Sequence, residues 1–239
     1  MEDKHDFPLA VQAAIHSVSE VYKNSVGQEL HVQIIRISPW NSFVPALNAL
    51  LTWSANSGAD HILFVSAETS VTAEGLACLK SYMDMDTTLC VGAALPGHDV
   101  SISTISATAD TRNSKRVILT GRTTPWNTLA LWNVPKLTLT GFPMVGEGVH
   151  YISTKEDNKK KIEGGVEEVS TIVLLQTLLP SGTAEAKLVL VPGVEWKQRF
   201  EDEERRKWHE HKMQSKVSRP AKHLELLGLQ NKGTVIHFC

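Results

Sequence analysis

Between residues 28 and 191, short apolar runs alternate with segments of helical period, and no other feature of the chain restricts its fold as much. The runs lie at residues 28–37, 61–65, 88–94, 117–119 and 186–191; in the first, Leu30, Val32 and Ile34 alternate with polar or long residues. Before them, residues 7–23 place Val11, Ala14, Ile15, Val18, Val21 and Tyr22 at helical spacing, with Asp6 as N-cap and Pro8 in the first turn. Further helices are predicted over 43–54, closed by Gly58, and over 72–82, 126–132 and 166–179. This alternation predicts an α/β domain with a mostly parallel central sheet flanked by helices. The unbroken run His61–Val65 reads as a central strand covered on both faces. Residues 97–113 and 146–165 read as loops, the second rich in lysine. From residue 196 the chain turns strongly charged. The expected division is therefore an α/β domain over 1–195 and a charged helical extension over 196–239, its helix ended by Arg219-Pro220.

With 42% apolar residues in 239, the chain can bury one substantial core. Basic and acidic residues number 24 and 26, a balance that argues against nucleic acid or an anionic membrane as the main partner. Cys78, Cys90 and Cys239 are too few and too scattered for a disulfide scaffold or a zinc site, so they read as reduced thiols. The opening MEDKHDFPLAV is acidic and polar where a signal peptide needs a basic start and an apolar run. No stretch reaches the ~20 apolar residues of a membrane span. The expected location is cytoplasmic. Phosphate-loop, nucleophile-elbow and zinc-protease motifs are absent from the sequence.

The order of several motifs resembles the inverting glycosyltransferases of family 2, of the GT-A type. In that family a strand leads to a helix carrying small residues and an Asn, and a second strand then ends in an acid-x-acid motif at the nucleotide-sugar site. Residues 31–37, the helix bearing Asn48, and Ala59–Val65 followed by Ser66-Ala67-Glu68 stand in that order. Residues 121–132, then Leu137 and Gly141-Phe142, are similar to the family's acceptor-side helix and Gly-Phe turn. Gly165-Val166-Glu167-Glu168 is similar to its acidic motif, whose carboxylate acts as base. The resemblance covers residues 28–192. Two departures accompany it: no strand-helix-strand unit precedes the helix at 7–23, and Ser66-Ala67-Glu68 replaces the acidic pair.

The resemblance implies transfer of a sugar from a nucleoside-diphosphate donor to a hydroxyl acceptor with inversion. Glu168, with Glu167 beside it, takes the catalytic role, because an attacking hydroxyl must surrender its proton to a carboxylate. Acids at a helix start are equally favoured by the helix dipole alone. Ser66, Glu68 and Asn48 become the donor-binding set, and Glu68 the ligand of a divalent Mg or Mn ion, although one carboxylate supplies only part of a metal site. Trp126 is an acceptor platform with Asn127 as its hydrogen-bonding neighbour, or else an ordinary core aromatic. His209 and His211 point to different sides of a helix and read as solvated. The Arg205-Arg206-Lys207 cluster is placed to contact a diphosphate if the tail folds over the site, with Lys207-Trp208 a faint echo of the Arg-Trp motif of processive relatives; the other reading is a charged surface helix with internal acid-base pairs. The alternative to an enzyme is a non-catalytic, glycosyltransferase-like binding or assembly protein, in which an open sheet edge favours a homo-oligomer.

Overall fold

A computed structural model describes residues 11, 13, 15–17, 19–20, 23–24, 32–37, 43–100, 114–152, 159–197, 202–229 and 232–238. The chain divides into two units, Met1–Pro39 and Trp40–Cys239. In the first, the described residues between 11 and 24 are helical, as their spacing predicts, whereas Asp6 and Pro8 lie outside the described residues. Residues 32–37 form no strand, and Val32 and Ile34 stay 45% and 42% exposed. Alternation suits a strand, but a strand also needs an edge to pair with. Residues 28–31 lie outside the described residues.

The second unit opens with α1 (Phe43–Asn56), which buries Val44, Leu47 and Leu51 along one stripe. Its end is set by Gly58 at φ +71, where Ala59 N–H reaches Ser54 O and Gly58 N–H reaches Ala55 O. This pair of bonds closes the last turn and favours glycine at the left-handed position. Then follow β1 (His61–Val65), β2 (Thr69–Val71), α2 (Ala73–Ser81) and β3 (Thr88–Ala93). Thr72 caps α2 by accepting from Gly75 N–H at 3.1 Å. The chain continues through β4 (Ser114–Ile118), β5 (Leu129–Asn133), α3 (Val134–Leu137), a 3-10 turn (Met144–Glu147) and the hairpin β6 (Gly148–Ile152)/β7 (Lys159–Glu163). It ends with α4 (Glu167–Leu178), β8 (Glu185–Val189), β9 (Val194–Trp196), α5 (Glu203–Gln214), α6 (Ser218–Leu226) and β10 (Thr234–Phe238).

Six strands form the main sheet in the order β1-β5-β3-β8-β10-β4. The α/β class holds, but the sheet is mixed rather than mostly parallel: β3–β8 and β8–β10 are parallel, and the other three pairings antiparallel. The reversal comes from residues 126–132, which were expected to be helical. Leu129–Asn133 is instead a strand with four of five residues buried, and a short apolar run does not distinguish the two forms by periodicity. By inserting antiparallel between β1 and β3, β5 also moves β1 to the edge. His61–Val65 is therefore not a central strand, and Val65 is 46% exposed.

Alternation along the strands splits the core in two. Ile62, Phe64, Ala130, Trp132, Ala186, Leu188 and Val235 meet α1, α4 and α6 on one face, where Val169, Ile172, Val173 and Leu175 of α4 are fully buried. Each such side chain contributes roughly 1.5–3 kcal/mol. On the other face Val91, Ala93, Leu129 and Val189 pack with Leu79 of α2 and with Trp126.

Three further differences come from the tail and the loops. Residues 148–163 include a hairpin where a loop was expected. Pro220 does not end a helix but lies in the first turn of α6, where its missing N–H costs nothing. Residues 234–238 place β10 between β8 and β4, so the segment beyond 196 is part of the main sheet as well as helical.

Candidate functional site

Strands β1, β3, β8 and β10 all run the same way, with β5 and β4 reversed. Their carboxyl ends therefore share one side of the sheet with the entry to β5, the side where ligands bind in α/β proteins. Ser66 N–H donates to Thr128 O at 2.9 Å, joining the turn after β1 to the segment that carries Trp126 and Asn127. The short β2–β9 ladder lies on the same side, and Lys197 N–H donates to Glu68 O at 2.9 Å.

The two carboxylates chosen from sequence meet one of the two acceptor residues, Asn127, here. Asn127 backbone N–H donates to Glu168 Oε1 at 2.6 Å, and its Nδ2 donates to Glu167 Oε1 at 3.2 Å. Its Oδ1 accepts from Trp132 Nε1 at 2.9 Å, so one Asn is fixed against three partners. Glu167 and Glu168 are only 7% and 5% exposed. Burial, then the neighbouring Glu167, raises the Glu168 carboxyl to about 8; the Asn127 N–H and the Lys216 charge act the other way. Glu147 is also raised, by burial and by Glu167, and it accepts from Val44 N–H.

Helix α4 is entered through Val166 at φ +64, ψ +44, a left-handed conformation that costs a β-branched residue on the order of 1–3 kcal/mol. The surroundings impose it. Gly165 N–H donates to Gly146 O at 2.7 Å, and Arg219 Nη1 donates to Gly164 O. The strained turn aims the first residues of α4 at Asn127.

Trp126 is 2% exposed, and its indole N–H donates to Gly121 O at 2.8 Å. His98 stacks on it at 3.6 Å between centroids, and Lys216 Nζ lies 3.1 Å from the ring centroid. Two groups that close must occupy opposite faces. An open sugar platform is therefore not what Trp126 presents in this conformation.

His98 accepts from Leu95 N–H at Nδ1 (2.8 Å) and reaches Thr124 O from Nε2 (2.9 Å), the pattern of a neutral ring. Burial lowers its pKa to about 4.

Asn48 is away from these groups in its bonding: Nδ2 donates to Phe142 O at 3.0 Å and Oδ1 accepts from Phe142 N–H at 2.8 Å. It clamps the Gly141-Phe142 turn, and both ends of its amide are engaged there. Ser66 and Glu68 are joined to each other by a hydroxyl-to-carboxylate bond on an exposed turn. No group of three or more His, Cys, Asp or Glu side chains able to hold a metal occurs among the described residues.

Lys216, His98, Glu147 and Arg219 were missed from sequence. His98 had a usable signal, since Pro96-Gly97-His98 follows the carboxyl end of β3 as Ser66–Glu68 follows β1. Lys216 and Arg219 lie in a charged tail with no pattern to single them out.

No protein-family model, curated protein or solved structure matches the chain. Among the described residues no helix is long and apolar enough to cross a membrane.

Proposed function

We propose that this chain is a cytoplasmic, GT-A-like glycosyltransferase that passes a sugar from a nucleoside-diphosphate donor to a hydroxyl acceptor with inversion. The observation that carries the reading is the grip of Asn127 on Glu168 and Glu167, which joins the proposed acceptor segment to the proposed base at the carboxyl ends of the strands. A buried carboxyl raised to about 8 is a strong base once ionised. In the transfer, the acceptor oxygen forms its bond to the anomeric carbon as its proton passes to the Glu168 carboxylate. The bond from that carbon to the diphosphate breaks, and the nucleoside diphosphate leaves with the electron pair. Ser66 and Glu68 lie where the donor would enter. Magnesium or manganese would gain one protein ligand from Glu68.

The test is a thermal-shift titration with a panel of nucleoside diphosphates and their sugars, with and without Mn²⁺, on wild type and Glu68→Ala. The reading predicts stabilisation by one nucleotide that weakens in the variant; no shift with any of them sinks it.

A second reading, assembly without catalysis, is favoured by the edge strands. Among the described residues β1 pairs with β5 alone, and His61–Val65 carries no Asp, Glu, Lys, Arg or Pro, whereas the other edge, β4, carries Lys115 and Arg116. Charges blunt an edge against pairing, and β1 lacks them. Sedimentation of wild type against Leu63→Lys separates the readings: an oligomer lost in the variant supports assembly, and a monomer in both removes it.

A further inference from the structure

The connector between α5 and α6 lies across the candidate site. Lys216 Nζ sits 3.1 Å from the Trp126 centroid, on the face opposite His98. The Lys216 carbonyl lies so close over Gly121 that a Cβ there would stand 1.9 Å from its oxygen. The Met213 methyl rests against Gly97, and Arg219 holds the Gly164 carbonyl in the turn that leads to Glu167. The same lysine also acts electrostatically on Glu168. Residues 213–219 thus touch the end of β3, the turn before β5 and the entry to α4, the three segments that frame the carboxylates.

The attachment of this connector differs at its two ends. Beyond it, α6 is anchored by Pro220, His223 and Leu224, all buried. Before it, the ion pairs of α5 among the described residues are internal: Arg206 with Glu203 and Glu210, and Lys207 with Glu203. Exposed pairs of this kind add little stability and tie the helix to nothing else. Met213, Ser215, Lys216 and Arg219 are half-buried, while Gln214, Val217 and Ser218 are exposed.

We propose that residues 213–219 form an autoinhibitory strap, anchored at α6 and displaceable at α5, in which Lys216 occupies the Trp126 face that an acceptor sugar would use. A cation over an aromatic face and the C–H face of a sugar compete for the same surface. Lifting the strap opens that face and removes the Lys216 charge that acts on Glu168, while His98 keeps the other face covered. The identity of the displaced ligand rests on the transfer reading above; the existence of the strap does not.

The test is acrylamide quenching of Trp126 fluorescence, isolated as the difference from a Trp126→Phe background, without any nucleotide sugar. It compares wild type, Lys216→Ala and the double variant Lys216→Ala/Met213→Ser. Loss of the cation–π contact predicts a roughly two- to thirty-fold rise in the open fraction of Trp126. Hydrogen exchange of β3 and β5 amides is followed in parallel. More quenching with unchanged exchange in the sheet supports the strap. Unchanged quenching overturns it, and so does quenching that rises only together with exchange in β3 and β5, because the connector would then open only when the whole unit unfolds. If the strap opens as predicted and the opened variant still neither binds nor turns over any nucleotide sugar, the transfer reading fails and the strap stands.

Discussion

Replacing Glu168 by Gln removes one titrating group from the core while keeping the shape of the side chain and an oxygen to accept the Asn127 N–H. In the unfolded chain this carboxyl loses its proton near 4.5, and in the folded chain near 8. Between those values the native state holds a proton that the unfolded state has released. A folded pKa raised in this way means stability that is fully present below 4.5 and is lost as pH rises through 8. The slope is about 1.4 kcal/mol per pH unit, so the loss across the window is on the order of 5 kcal/mol. Glu168→Gln lacks this term. Urea unfolding at pH 5, 6, 7, 8 and 9 should therefore show the variant gaining on wild type at each step up to about 8, with no further gain above it. A difference that stays constant from pH 5 to 9, or that shrinks as pH rises, refutes the claim that burial holds the proton on Glu168.

Other consequences follow from neighbouring groups. His98 has its folded pKa depressed to about 4, so its neutral form contributes stability above its unfolded value of 6.5 that is lost as pH falls through about 4; His98→Gln should flatten that acid limb, seen as a smaller loss of Tm between pH 6.5 and 4. Trp132→Phe leaves Asn127 Oδ1 without its indole donor and should cost on the order of 1–3 kcal/mol in denaturant unfolding. Gly121→Ala puts a methyl into the Lys216 backbone and should destabilise by about 1–3 kcal/mol while raising Trp126 quenching; unchanged stability and quenching would show that the connector does not press on this turn.

The sequence was informative wherever local chemistry decided the structure. Thr72 and Tyr82 flank α2 as expected, Gly58 ends α1, and Glu167 opens α4 one residue from the predicted start. Topology was less accessible, because pairing partners leave no local mark. The apolar stretch Leu129–Asn133 fits a strand or a helix equally, and its insertion next to β3 converts a predicted parallel sheet into a mixed one. β10 was hidden by its position behind a charged tail, although Thr234–Phe238 carries alternating burial. Within the site, the sequence pointed to Trp126-Asn127 and Glu167-Glu168 as separate motifs, and the structure joins them through Asn127. It did not reveal that Asn48 is committed to Phe142, that Trp126 is covered, or that Lys216 comes from the far end of the chain to cover it. Those facts depend on long-range packing.

The central claim, that Glu168 is the base of a sugar transfer, is tested most directly by release of nucleoside diphosphate from a panel of nucleotide sugars, measured for wild type and Glu168→Gln from pH 6 to 9 with acceptor saccharides and Mn²⁺ present. The account predicts release by wild type that climbs towards pH 8 as the carboxyl ionises, and donor binding without release in the variant. Release that is equal in both proteins, or absent from wild type at every pH, contradicts it.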